Sequence, residues 1–325
     1  MNLKIAIFSL ATPETRSGNW VTASRWQRSL RSAGHRVAIL HEVGQVDDCD
    51  AEILIGLHAR RSGPALLHFK KLYPERKTIV ALSGTDIYRD LSPTRKRQSA
   101  TAIKSLNTCD QIVLLQPLMA KRMQPVWRSK STVVMMDVVK RRVPKRNIGK
   151  VLQACVVGHL RSEKDPFRAA MAVRDFPQDL SVVVKHVGGA RTDSFRQRAS
   201  LESKRNANWN WLGSVEYREA QSLMRSSDLL VNTSRSEGAP NVLFEAIGHR
   251  LPIIASKIDG HVGVLGADYR GYFKTGDTSG LQRLLVRCAK DVGFYQQLLS
   301  SMDALAKKYR PGIELKSLLN AVEKV

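Results

Sequence analysis

The sequence predicts an α/β protein of two Rossmann-like domains, each built on a parallel sheet, the two facing one another across a cleft. Three observations predict it. At 325 residues the chain exceeds what one small core comfortably serves. Short continuous apolar runs rich in β-branched residues alternate with helical patterns, as strands buried on both faces require. The series also breaks at a basic stretch containing Pro and Gly, residues 137–150, and then starts again.

The first series holds LKIAIFSL (3–10), RVAIL (36–40), EILIGL (52–57), TIVAL (78–82), QIVLL (111–115) and TVVMM (132–136). Between its first two runs, residues 21–33 carry Trp26 and Leu30 on one face and end at Gly34, which marks a first crossover helix. The second series holds VLQACVVG (151–158), LSVVVKHVG (180–188), DLLVN (228–232) and PIIAS (252–256). From about 293 onward the pattern is that of closing helices, interrupted at Pro311-Gly312 and free to pack back on the first domain. These readings divide the chain into 1–145, 146–300 and 301–325.

Charge and composition narrow the function. The formal net charge is +23, with the densest basic runs at 95–97 and 140–146. Lys and Arg are otherwise dispersed, as on a solvated surface, and no nucleic-acid-binding motif accompanies them. A small polyanionic ligand fits this charge better than nucleic acid does. No G-x-G-x-x-G follows the first strand of either domain, which argues against a dinucleotide oxidoreductase. Cys49, Cys109, Cys155 and Cys288 are scattered without a C-x-x-C pair or a neighbouring His cluster, so free thiols are expected and no metal. The stretch MNLKIAIFSLATP reads as a first strand, not a signal peptide, and no run approaches the roughly 18 apolar residues of a membrane span, so a cytoplasmic protein without stable membrane insertion is expected.

In open parallel sheets ligands gather beyond the carboxyl ends of the strands. In the first domain those positions hold Ser17, Gly18 and Asn19, then His58, Arg60 and Arg61, then Ser83, Gly84, Thr85 and Asp86. In the second they hold Gly158 to Lys164, then Gly188 and Gly189, then 233–238, then 256–260. Glycines, cations and small hydroxyls thus collect at one rim of each sheet, as an anion site needs.

The stretch TSRSEGAPNVLFEAIG (233–248) sets Glu237 and Glu245 eight residues apart around a Gly-Ala-Pro turn. Gly238 permits tight backbone, Ala239 is small, and Pro240 suits the first turn of a helix beginning near Asn241 and Val242 and ending near Gly248. The free N–H groups of that helix would meet a phosphate or a sugar oxygen. A carboxylate accepts two hydrogen bonds from vicinal hydroxyls, so the pair could hold two sugar rings of one ligand. Equally, Glu237 could merely complement the helix end, with Glu245 in solvent.

The run from Trp211, WLGSVEYREAQSLMRSSDLLVNTSRSEGAPNVLFEAIGHRLPIIAS, resembles the C-terminal signature of the GT-B glycosyltransferases of family 4. The resemblance implies that Glu237 binds hydroxyls of a donor sugar and Glu245 the ribose of its nucleotide. It matches Gly158-His159-Leu160 and Lys164-Asp165 to the family's diphosphate loop, with His159 where Arg is usual, so Lys164 and Arg161 must carry the clamp. It also places Leu212 and Gly213 near the base, with Gly188 and Gly189 letting the nucleoside approach the backbone; a plain strand-end turn would also explain the two glycines. In the first domain SGNWVTASRWQRSLRSAGHRVAIL, LHARRSGPALL and VALSGTDIYRDL, with VVGHLRSEKDP in the second, resemble the selenosugar synthases of selenoneine biosynthesis (the SenB type).

That resemblance implies transfer of hexose from UDP-glucose or UDP-N-acetylglucosamine to selenophosphate, coupled to an enzyme that makes selenophosphate. It makes 1–145 the acceptor domain and 146–300 the donor domain. The expected catalytic set is His58, Arg161, Lys164 and Glu237. Selenophosphate is already anionic, so the task is to hold two anions together and aim selenium at the anomeric carbon; Arg60, Arg61, Ser17, Gly18, Asn19, Ser83, Gly84 and Thr85 are the expected acceptor-side residues. His58 is either a general base or a loop-orienting residue, and Asp86 either a ligand contact or an ordinary helix cap. His249 and His261 have no partner legible in the sequence. The rival readings are a family 4-like enzyme with an ordinary hydroxyl or thiol acceptor and, on charge alone, a basic nucleic-acid-binding protein.

Overall fold

The protein, seen in a computed structural model, is described for residues 2–15, 17–93, 97–141 and 148–325. The basic runs at 95–97 and 140–146, and the expected domain boundary at 145/146, fall wholly or partly outside those residues. The strands are β1 (Lys4–Phe8), β2 (Arg36–Leu40), β3 (Ile53–Leu57), β4 (Lys77–Ala81), β5 (Gln111–Leu114), β6 (Ser131–Val133), β7 (Val151–Val157), β8 (Ser181–Val187), β9 (Trp209–Trp211), β10 (Leu229–Asn232), β11 (Ile253–Ser256) and β12 (Tyr272–Phe273). The α-helices are α1 (Gly18–Ser32), α2 (Ala59–Leu72), α3 (Ala100–Thr108), α4 (Pro125–Ser129), α5 (Arg168–Arg174), α6 (Asp193–Arg205), α7 (Tyr217–Ser226), α8 (Asn241–Gly248), α9 (Asp259–Leu265), α10 (Thr278–Lys290), α11 (Val292–Lys308) and α12 (Ile313–Glu323).

Two compact units result, one of Met1–Asp137, Gly238–Pro240 and Pro311–Val325, the other of Val138–Glu237 and Asn241–Arg310. The first carries a parallel sheet in the order β2-β1-β3-β4-β5-β6. Successive side chains of a strand point to opposite faces, and both faces are covered. Ile5, Ile7, Ile53, Ile55 and Ile79 pack with Trp26 and Leu30 of α1 and Leu318 of α12. Ala6, Phe8, Leu54, Val80 and Ile112 pack with Leu66 and Phe69 of α2. Burial on both sides is why these strands read as continuous apolar runs without alternation.

The first helix begins at Gly18, earlier than the apolar pattern from 21 suggests. Ser17 supplies the reason: it stands at the N-cap, and its hydroxyl accepts the Trp20 N–H at 3.4 Å. At the other end of the chain, the Asp137 carboxylate accepts the N–H groups of Gly312 and Glu314 at 2.7 Å each and so caps α12. Glu314, 4% exposed, accepts from Arg25 Nε at 2.8 Å, Arg25 Nη2 at 3.0 Å and Trp26 Nε1 at 2.7 Å. This carboxylate fastens α12 to α1.

The second unit carries a parallel sheet in the order β12-β11-β10-β7-β8-β9. Four of its strands were legible as apolar runs; β9 and β12 were not. With three and two residues they are too short to print a pattern, and they are held by pairing with β8 and β11. All four cysteines are free, and burial pushes the Cys109 and Cys288 thiols up to about 12. Among the described residues no helix is long and apolar enough to cross a membrane.

Removing one partner of a buried ion pair leaves the other charge uncompensated, at a cost of about 3 kcal/mol. Glu314→Ala should therefore lower the unfolding free energy by about that amount in urea titration; a loss below about 1 kcal/mol would show the α12 clamp to be dispensable.

Candidate functional site

In each sheet the strand order reverses beside the first strand of the unit: β1 lies between β2 and β3, and β7 between β8 and β10. The carboxyl ends at such a reversal are where ligands collect. In the second unit the loops after β7 and β10 meet there. Arg235 N–H donates to the Glu163 carbonyl at 2.8 Å, and the Thr233 hydroxyl reaches the carbonyls of Lys164 and Asp165 at 2.9 Å each. Asp165 turns the chain with a positive φ of 44° and binds Arg168 Nε at 3.0 Å.

This stitching brings Lys164 Nζ onto Glu237 Oε1, which also accepts from Ser234 Oγ at 2.7 Å. The two side chains are 19% and 11% exposed, so the pair sits at a mouth, not in a sealed core. Burial pushes the Glu237 carboxyl up, but the Lys164 ammonium and the hydrogen bonds from Lys164 and Ser234 outweigh it and hold the carboxyl below its ordinary value. A hollow of about 10 Å³ lies beside it, lined by Gly158, Lys164, His186, Asn232, Thr233 and Ser234. That is room for about one water. The main chain of Glu237 rests against α9: a Cβ on Gly260 would lie 2.3 Å from the Glu237 carbonyl oxygen. His261, on the same turn of α9, is fully buried, donates or accepts through Nδ1 at 2.7 Å from the Ser256 carbonyl, and leaves Nε2 without a partner among the described residues. Since a carbonyl only accepts, Nδ1 bears the proton. Burial pushes this imidazole down to about 4.

The remaining donor-side candidates line the ends of β7 and β8. His159 Nδ1 accepts the Gly189 N–H at 3.1 Å, which leaves Nε2 as the protonated nitrogen. Burial first, then the charges of Arg191, Arg161 and Lys164, lower its pKa and keep the ring neutral. Gly188 has no substitute: its φ is 144°, and a Cβ would stand 2.0 Å from the Gly158 carbonyl oxygen. Its N–H donates to the Gly213 carbonyl at 2.7 Å and its carbonyl accepts from Trp211 Nε1 at 2.8 Å, so Leu212 and Gly213 run alongside it. Leu212 is 49% exposed at that rim. Glu245 lies inside α8, and its Oε2 accepts from Gln221 Nε2 at 3.0 Å, while Gln221 Oε1 pairs with His249 Nε2 at 2.8 Å. Glu245 is therefore anchored, not simply solvated. Asn241 and Val242 form the first turn of α8, and Gly238, Ala239 and Pro240 precede it. Arg161 is exposed and stands outside the Lys164–Glu237 pair.

In the first unit the candidates after β3 and β4 form one network. His58, 2% exposed, occupies the strand-to-helix elbow with a positive φ of 84°. Its Nδ1 lies 2.6 Å from Asp86 Oδ1 and its Nε2 2.9 Å from Thr85 Oγ1. Asp86 is fully buried and also accepts from Ser83 N at 2.8 Å, Ser83 Oγ at 3.0 Å and Arg60 N at 3.3 Å. Arg60, expected as an anion ligand, is engaged elsewhere: its Nε donates to Asp90 at 2.7 Å, and Asp90 also accepts from Arg89 Nε at 2.9 Å. Arg61 remains exposed on the first turn of α2. Ser17 is committed to capping α1, with Gly18 and Asn19 following it in the helix. Gly84 is buried between Ser83 and Thr85.

His58, Asp86 and Asp90 place ligand atoms within 4.8 Å of one another, the spacing of a metal set. Arg60 and Arg89 already pair with Asp90, Asp86 accepts from two backbone N–H groups and Ser83 Oγ besides facing His58, and a dication there would face both guanidinium groups. A larger hollow of about 440 Å³, lined by Leu67, His68, Lys70, Lys71, Lys104 and Thr108, lies at the carboxyl ends of α2 and α3. It is at the opposite rim from the strand ends.

Residues 140–283 match the family of glycosyl transferases group 1. Among solved structures the chain is similar to HepE from Anabaena in complex with UDP and glucose, at 13% identity and a TM-score of 0.78 with 100% of both chains covered. It is similar to sucrose-phosphate synthase from Thermosynechococcus elongatus at 12% identity and 0.80, covering 99% of each chain. A glycosyltransferase from Rickettsia africae matches at 12% identity and 0.77, covering 99% of this chain and 98% of that one. The two parallel-sheet units thus define a GT-B fold. The group 1 match falls largely on the second unit.

The sequence brought out Lys164, Glu237, Glu245 and the Gly188 corner; it placed Ser234 and Gly260 at the rim without a role and gave His261 no partner, and the packing of all three around Glu237 comes only from the fold. Because the carboxyl of Glu237 is depressed in the folded state, its contribution to stability is present above about pH 4.5 and lost as pH falls through the folded value. Lys164→Met reverses this: a buried carboxyl without its cation resists ionisation, so the variant should be destabilised at pH 7 and regain stability toward pH 5. Urea unfolding at both pH values checks it; a variant with the wild-type pH dependence would remove Lys164 as the counter-charge. Gly188→Ala should cost more than about 3 kcal/mol, beyond the ordinary penalty of a positive-φ alanine, since the Gly158 backbone must move as well.

Proposed function

We propose that the protein is a UDP-sugar-dependent glycosyltransferase whose acceptor is selenophosphate, giving a 1-selenosugar, UDP and, after uptake of water, phosphate. The observation that carries the donor half is the Lys164–Glu237 pair with Ser234 at the β7/β10 strand ends. In this structure the two charges satisfy one another. A bound nucleotide sugar offers each a better partner: the diphosphate for the ammonium, vicinal hydroxyls for the carboxylate. The Nε2–H of neutral His159 is a further donor for the sugar or diphosphate. The group 1 match over 140–283 supports sugar transfer, and HepE being seen with UDP and glucose supports a uridine nucleotide as carrier. Glu245 is assigned to the ribose, Gly188, Gly189, Leu212 and Gly213 to the nucleoside side, and the first turn of α8 at Asn241 and Val242, with Gly238, Ala239 and Pro240 before it, to phosphate or sugar oxygens.

As UDP departs, charge grows on the diphosphate and positive character on the anomeric carbon. Fixed cations and N–H groups meet the first, which is the role of Lys164 and Arg161. Glu237 meets the sugar. The selenium assignment is supported by the sequence resemblance of the first unit and by the exposed Arg61 and the hydroxyls of Ser83 and Thr85 beside it. No metal is assigned. The place of action is the cytoplasm, beside an enzyme that supplies selenophosphate. A second reading, an ordinary hydroxyl or thiol acceptor, is favoured by one observation: His58, a titratable ring held 2.6 Å from the buried Asp86 carboxylate, stands at the strand ends of the unit assigned to the acceptor.

The test is mass spectrometry of the protein mixed with UDP-glucose or UDP-N-acetylglucosamine, with and without fresh selenophosphate. A selenium-patterned hexose formed together with UDP is expected. UDP release with hydroxyl or thiol acceptors and none with selenophosphate would move the assignment to the second reading. Glu237→Gln should lower kcat about 100-fold, the scale of losing one transition-state contact, with a much smaller change in UDP affinity; equal losses in both would make Glu237 a ground-state ligand only.

A further inference from the structure

The ladder between β7 and β8 loses one hydrogen bond where it reaches the strand ends. The register sets Val156 opposite His186 and Val157 opposite Val187, and Leu160 pairs with Ala190 beyond them, so Gly158 stands opposite Gly188. Ladder bonds form on both sides of that point. The Gly158 N–H donates to the Val187 carbonyl at 2.9 Å, the Leu160 N–H to the Gly189 carbonyl at 3.0 Å and the Arg191 N–H to the Leu160 carbonyl at 3.1 Å. By the same slanted pattern the Gly158 carbonyl would accept the Gly189 N–H. Instead His186 Nε2 takes that carbonyl at 3.0 Å, and His159 Nδ1 takes that N–H at 3.1 Å. Two imidazoles thus replace the two halves of one backbone bond.

The proton positions follow from the partners. A carbonyl only accepts, so the proton of His186 is on Nε2; an N–H only donates, so His159 is bare at Nδ1 and protonated at Nε2. Burial pushes His186 down to about 4, which leaves its ring neutral at neutral pH. The side chain is 1% exposed, its ring lies edge to face with Trp209 at 5.7 Å, and its Nδ1 has no partner among the described residues. An apolar residue in this place would leave no orphan nitrogen and would free the Gly158 carbonyl for the Gly189 N–H. Holding a half-satisfied imidazole here costs stability. What it determines is the setting of the loop that carries His159.

We propose that His186 is the positioning residue of His159: by holding the Gly158 carbonyl it leaves the Gly189 N–H to His159 Nδ1, and that bond fixes the tautomer whose Nε2–H is offered to the ligand. The ligand atom is a diphosphate oxygen, since Arg161 and Lys164 stand in the same loop and their charges act on this ring. Those cations keep His159 neutral, so it serves as an oriented hydrogen-bond donor beside them. The inference rests on the nucleotide-sugar reading for its ligand, whereas the arrangement of the two rings stands without it.

Two measurements test it on the full-length protein. Nitrogen-15 NMR of histidine-labelled protein at neutral pH should show both rings protonated at Nε2 and bare at Nδ1. In His186→Phe, which keeps a ring against Trp209 but cannot donate, the His159 signals should move toward the mixed tautomers of a free imidazole. A proton on Nδ1 of either ring in the wild type, or unchanged His159 signals in His186→Phe, overturns the positioning role. The second measurement is UDP affinity by calorimetry. Loss of one hydrogen bond corresponds to about tenfold, so His186→Phe and His159→Phe should each weaken UDP binding by about that factor. The double variant should lose no more than either alone, because the two residues act through one contact. His186→Gln, whose side-chain N–H can donate to the same carbonyl, should stay within about threefold of the wild type. Additive losses in the double variant, or a His186→Gln loss as large as that of His186→Phe, would reduce His186 to a packing residue. A wild type that does not bind UDP defeats the nucleotide-sugar reading, and the NMR result then decides the positioning role by itself.

Discussion

A parallel strand covered by helices on both faces has no place for a polar side chain except at its ends. That constraint organises both units. Along β1 and β3 every buried position on either face is apolar, from Ile5 to Phe8 and from Ile53 to Leu57, and in β4 the one buried polar residue, Thr78, lies at the start of the strand. Polar chemistry is thereby expelled to the strand termini, and the right-handed crossovers bring the carboxyl ends together beside β1 and β7, where strand order reverses. The Lys164–Glu237 pair and the His58–Asp86 network are the outcome of the same geometry applied twice.

A second constraint is electrostatic. With 52 Lys and Arg against 29 Asp and Glu, the chain has cations to spare, and its buried acids are the groups that need them. Glu237 takes Lys164, Glu314 takes Arg25, Asp90 takes Arg60 and Arg89, and Glu202 takes Arg174 and Arg205. Each pairing spares a desolvated charge, and those with Lys164, Arg25, Arg60 and Arg174 also tie together segments remote in sequence. The pairs differ in what a ligand can do to them. Glu314 and Glu202 are closed within helices and serve stability. Lys164 and Glu237 lie at a mouth, 19% and 11% exposed, with a neutral His159 nearby.

Most of the fold was legible because its main signal is local. Ten of the strands print apolar runs of five to nine residues, and in the central strands burial on both faces makes those runs continuous. β9 and β12 escaped because their existence depends on a neighbour's free edge more than on their own residues. The α1 start escaped by three residues because a single hydroxyl at Ser17, not the apolar period, sets it. In the site, Glu237 and Glu245 were legible through their spacing around Gly238 and Pro240, and Lys164 through the loop it shares with Gly158 and His159. Arg60 was read as a free cation because nothing in the sequence shows that Asp90, thirty residues on, reaches its guanidinium.

The sequence by itself determined the fold class, the two-unit organisation and the rim residues of each sheet, because apolar periodicity and turn residues are properties of short stretches. The tertiary structure alone decided which of those residues act together. Ser234, Gly260 and His261 support Glu237, Gln221 anchors Glu245, and Asp86 and Thr85 fix both nitrogens of His58. Apart from the Ser234 bond, which stays within one loop, these are contacts of a few ångströms between segments that follow different strands, and their partners are chosen by strand order, which no local pattern encodes.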